Sequence, residues 1–140
     1  MSEMEVENVD TPDLDGRRPL QHAAVAGNTE RLRHLLSCGA TVGAADTSGW
    51  SALHSAASAG HAAACSILLN AGAPPNARTE SGTTPLFHAA SKGHEEVIQV
   101  LLQVLLLRQL TLRLRLRLRL RLRLRLRLSL SLSLTPTCTP

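Results

Sequence analysis

Side chains able to do chemistry are few in this chain, and their spacing suits none of the common reaction centres. Six His are scattered along it, among them His22, His54, His61, His88 and His94. Cys38, Cys65 and Cys138 lie far apart and are odd in number, with no CxxC and no Cys/His pair at metal-ligand spacing. No Ser–His–Asp order, HExxH, phosphate-cradling Gly loop or carboxylate pair is present. These absences argue against an enzyme: no catalytic residue, no metal ligand and no cofactor is expected. The residues that remain of interest suit recognition, because aromatic and Arg side chains dominate binding hot spots. Trp50 is the sole Trp. With it as candidate partner-binding residues stand Arg17, Arg18, Thr47, Ser48, Arg78, Glu80, Ser81 and Lys92.

The elements that must position these residues come from a repeat. "GRRPLQHAAVAGN" (Gly16–Asn28), "GWSALHSAASAGH" (Gly49–His61) and "GTTPLFHAASKGH" (Gly82–His94) begin thirty-three residues apart. At that period Leu20, Leu53 and Leu86 recur, as do Ala23–Ala24, Ala56–Ala57 and Ala89–Ala90, and Gly27, Gly60 and Gly93. The pairs Leu35–Leu36, Leu68–Leu69 and Leu101–Leu102 fill the second half of each unit. Ser51 and Thr84 have hydroxyls that cap a helix, and Pro85 suits a first helical position. Gly60 and Gly93 stop that helix in the left-handed conformation. A second helix follows, with Val97, Ile98, Leu101 and Leu102 on one stripe. "APPNARTESG" (Ala73–Gly82) then reads as an extended, turn-marked connection. Arg18 stands where a capping hydroxyl is expected, so the first helix should start poorly.

These phrases resemble the ankyrin repeat, over about Asp13 to Leu102. The resemblance implies an all-α solenoid of stacked helix pairs with projecting β-turn fingers, and a non-catalytic role in protein binding. It places Trp50 near a finger base on the concave side, either as a docking residue or as a cover for the neighbouring finger. It implies that His54 bonds turn backbone and that His61 and His94 belong to the family's Gly-His pair. Its wording is similar to that of proteasome-associated members, which implies a proteasome ATPase subunit as a partner. Only His54 matches the family's His, since Gln21 and Phe87 are its equivalents, and Leu105–Leu106 replace the closing Gly-Ala.

The expected organisation is an acidic flexible leader (1–14), three units (15–47, 48–80 and an incomplete 81–107) and a low-complexity tail (108–140). All eleven acidic residues lie at or before Glu96, while nine of fifteen basic residues lie at or after Arg108. The tail alternates Leu with eight Arg (Arg113–Arg127), then with Ser. Alternation is a strand pattern, but Leu and Arg favour helix. We expect helix to about Leu110 and a disordered or irregular segment beyond. The tail implies electrostatic binding of nucleic acid or an anionic membrane as the alternative function, or a truncated product in which simple-sequence DNA replaced the array's ending. An apolar "VLLQVLLL" end invites self-association through Leu101–Leu107 and marginal stability. Cys38 and Cys65 are expected to be buried thiols. Unpaired Cys, the acidic start and the lack of a long uncharged apolar run imply a cytoplasmic or nuclear protein without a membrane span.

Overall fold

The helices begin on the sequence period. The computed structural model describes residues 8–133, and within them α1 (Pro19–Ala26), α3 (Ala52–Ala59) and α5 (Pro85–Lys92) each start thirty-three residues after the last. So do α2 (Thr29–Ser37), α4 (Ala62–Asn70) and α6 (Glu95–Ser133). The Ser51 and Thr84 hydroxyls accept the His54 and Phe87 amides, and Pro19 and Pro85 stand at the first helical turn. Arg18 gives α1 no side-chain cap, as its lack of a short acceptor dictates. Gly27, Gly60 and Gly93 close α1, α3 and α5 at φ +67°, +82° and +74°.

First helices pack side by side, α1 on α3 on α5, and α2 packs on α4. The core between them is thin and made of Leu and Ala: Leu20, Leu53, Leu32, Leu35, Leu68 and Leu101 are buried, with Ala23, Ala56 and Ala89 as close-approach positions. Positions facing the following unit confirm the order. Ala24 and Ala57 are buried, whereas Ala90 is exposed. Leu101 belongs to the core, so it is not available for self-association; Leu102, Leu106 and Leu107 are exposed.

Consecutive units are fastened by imidazoles. His61 Nε2 donates to the Val25 carbonyl at 3.1 Å, and His94 Nε2 donates to the Ser58 carbonyl at 3.1 Å. The rings lie so close to the preceding helix end that a Cβ on Gly27 or Gly60 would stand 2.7 Å from His61 or His94 Nδ1. In unit one the equivalent residue, Asn28, caps α2 instead by accepting the Arg31 amide. The same position thus serves either its own helix or the neighbouring unit.

The leader is fastened from Val9 onward. Val9 packs against the core, and the Asp10 carboxylate accepts the Thr41 amide and hydroxyl and pairs with Arg18 at 3.5 Å. Those bonds hold its pKa below the ordinary value, with the Thr41 amide as the largest cause. Flexibility of residues 1–7 lies outside the described residues.

One further expectation is corrected. The segment beyond Leu110 is not irregular: α6 continues to Ser133. No Gly or Pro interrupts it and Leu and Arg are both strong helix formers, so local propensity decides where no tertiary contact competes. Residues 134–140 lie outside the described residues. By length and composition alone α6 is also long and apolar enough to cross a membrane, with mean hydropathy 1.5 over its most apolar window. The described residues divide into two compact units, with the boundary after Leu105.

The fastening predicts unequal glycine substitutions. Gly93→Ala meets open space and should lose only the left-handed preference, about 1 kcal/mol. Gly60→Ala should lose at least about twice that, because the His94 ring must also move. Adding His94→Ala should recover part of the Gly60→Ala loss. Urea unfolding of the three variants measures this; equal losses for Gly60→Ala and Gly93→Ala would refute it.

Candidate functional site

Each finger is a tight turn held by its first side chain. Asp13, Asp46 and Thr79 donate their amides to the carbonyls of Arg17, Trp50 and Thr83, the same residues thirty-three apart. Asp13 and Asp46 Oδ1 accept the Arg17 and Trp50 amides, while Thr79 Oγ1 accepts the Thr83 amide. Fingers also join one another, through Thr47 N–H to the Asp15 carbonyl and Glu80 N–H to the Ser48 carbonyl.

The buried ends of α1 and α3 each lock the next finger. His54 is fully buried; its Nδ1 accepts the Ser51 amide at 3.2 Å and its Nε2 donates to the Thr83 carbonyl at 3.3 Å. That pair of bonds fixes a neutral imidazole protonated on Nε2. Burial lowers the His54 pKa, partly offset by the Thr83 bond. Gln21, its equivalent, donates to Asp46 Oδ2 at 2.9 Å. Phe87, the third equivalent, is 55% exposed.

Trp50 covers the following unit: its ring stacks on His88 with centroids 4.5 Å apart and planes tilted 39°. His88 is anchored in turn by Thr83 Oγ1 at 2.9 Å, and burial, then Lys92, lowers its pKa. Trp50 also lines an open groove of about 520 Å³. The groove floor repeats with the helices: His22, Val25 and Ala26 from α1, Ser55, Ser58 and Ala59 from α3, and Lys92 from α5. Its finger side is Arg17, Asp46 and Ser48.

Four of the nine expected residues therefore come together there: Arg17, Ser48, Trp50 and Lys92. Arg17 Nε lies 4.0 Å from Asp46, and Lys92 Nζ donates to Ser58 Oγ at 2.7 Å. The other five do not line it. Arg18 is turned to Asp10, with its Nε buried and unpartnered. Thr47 donates to the Asp15 carbonyl, Glu80 contributes its amide to the finger contact, and Ser81 Oγ bonds Thr79 Oγ1. Arg78 is exposed outside the lining. The floor residues were missed, although their signal was present: 22, 25 and 26 are spaced i, i+3, i+4 and recur at 55, 58 and 59.

Cys65 is buried and its thiol is pushed up to about 12 by desolvation, so it is an inert packing group. Cys38 is exposed rather than buried, because α2 ends on it and turns it outward, 3.9 Å from His34 Nε2. Among the described residues no three His, Cys, Asp or Glu cluster as a metal site.

The family described as ankyrin repeats (3 copies) matches residues 2–79 and 20–105. The chain belongs to the ankyrin-repeat family. Ankyrin repeats are generally protein–protein interaction modules and are typically non-catalytic. No curated protein matches the chain significantly. In ankyrin terms the groove lies between the finger bases and the first helices of the three repeats.

A pH dependence follows from the buried imidazoles. The His54 and His88 pKa values are lower in the folded chain, so the unfolded chain binds more protons below about 6.5. Their contribution to stability is present above that pH and is lost as pH falls toward the folded values. The urea midpoint should drop between neutral pH and mild acid, and His54→Gln, which restores the side-chain type of unit one, should flatten the drop. A midpoint that rises on acidification would contradict the burial of these rings.

Proposed function

We propose that the chain docks a protein partner through the groove framed by Arg17, Ser48, Trp50 and Lys92. The observation that carries this reading is the position of Trp50: its ring is held against His88 and also lines the groove. A side chain held this way loses little conformational entropy on binding. Asp46, the one acid of the lining, already accepts from Gln21 and the Trp50 amide. Arg17 lies 4.0 Å from it, so Lys92 leaves the lining with a net positive charge, which favours a segment carrying carboxylates. A proteasome ATPase subunit is one candidate partner, on the repeat wording alone.

Affinity capture from cell extract with the full chain tests the proposal. Proteins bound by the parent chain should be lost with Trp50→Ala, and weakened about tenfold or more with Arg17→Ala/Lys92→Ala, at unchanged far-ultraviolet circular dichroism. Retention of the same proteins by both variants would place docking elsewhere.

A further inference from the structure

The segment beyond Leu105 carries the most concentrated charge of the molecule. Arg113 to Arg127 supply eight cations at alternate positions, and no acidic residue follows Glu96. All eight are exposed, and no ion pair joins any of them to another described residue.

Helical geometry sorts this alternation in a way that a strand would not. At about 100° per residue, residues four apart lie about 40° apart on the same side. Even spacing keeps type: Arg113, Arg117, Arg121 and Arg125 form one row, and Arg115, Arg119, Arg123 and Arg127 form another. At any level of the helix two Arg stand on roughly opposite sides with Leu between them, and each row winds by about 120° from its first residue to its last. Eight charges occupy about 21 Å of axis, or one per about 2.6 Å, while duplex DNA carries one per about 1.7 Å.

We infer that α6 between Arg113 and Arg127 is a binding helix for duplex nucleic acid, lodged in the major groove. That groove is about 12 Å wide and admits a helix of this diameter. Because the rows wind, about half of the eight Arg reach the phosphates on its two edges at once. Phosphate contacts carry no sequence information, and Leu offers the bases no donor or acceptor, so binding is independent of sequence. An anionic bilayer fits less well. An interfacial helix needs a single apolar face, whereas here either Leu row in lipid leaves the other in water and Arg on both flanks. Within the free helix each row sets like charges at i, i+4, which weakens it. Phosphates relieve that repulsion, so helicity rises on binding. This surface is independent of the groove at Trp50.

Fluorescence anisotropy of the full chain with two short DNA duplexes of unrelated sequence tests the inference. A single strand and phosphatidylserine vesicles serve as comparators. Both duplexes should bind alike, more tightly than single strand or vesicles, and about four phosphate contacts should make affinity fall about a hundredfold for a fourfold rise in salt. Methyl green, a major-groove ligand, should compete, and distamycin, a minor-groove ligand, should not. Replacing all eight Arg with Gln, a comparable helix former, should abolish binding and leave the repeats' thermal transition in place. Overturning results are no duplex binding at low salt, binding retained by the Gln variant, competition by distamycin alone, or equal or tighter binding to single strand or vesicles.

Discussion

The structure depends on side chains of one unit bonding the backbone of its neighbour. A Leu and Ala core of this thinness has little shape of its own to hold register, since small residues pack against one another in several offsets. The polar contacts remove that freedom. His61 and His94 reach back to the carbonyls of Val25 and Ser58, while Gln21 and His54 reach forward to Asp46 and Thr83. Each unit is thereby fixed at the loop between its helices and at its finger. The neighbouring Gly residues follow from this, because a side chain at Gly27 or Gly60 would occupy the space of the ring.

The groove is a consequence of that register. First helices brought side by side expose the i, i+3, i+4 positions of each as a continuous floor, and the fingers form its wall. Trp50 belongs to both: it stacks on His88 of the next unit and lines the groove. Packing against the neighbouring unit therefore does not remove it from the lining. The same logic explains why Thr47 and Glu80, which look equally variable in the sequence, join neighbouring fingers, and why Ser81 braces its own finger at Thr79, instead of lining the groove.

The long helix obeys different physics. Up to Leu105 the apolar residues have a core to enter, and Val97 and Leu101 are buried in it. Beyond that, alternation puts Leu and Arg on every side. No orientation of the helix buries one type and exposes the other, so the backbone follows intrinsic propensity and the side chains remain in solvent.

The thirty-three-residue period by itself determined the helix starts, the Gly stops, the Leu and Ala core and the family, because these depend on local caps and on spacing that any copy reveals. It also marked Ser51 and Thr84 as caps and Arg18 as a poor one. Only the tertiary structure decided which variable residues converge. Whether Arg18 faces a groove or the Asp10 carboxylate depends on where a distant leader docks, and whether a thiol such as Cys38 is buried depends on where its helix ends. The tail shows the converse: an alternating pattern states a strand only when a sheet is there to receive it, and without one the helix preference of Leu and Arg prevails.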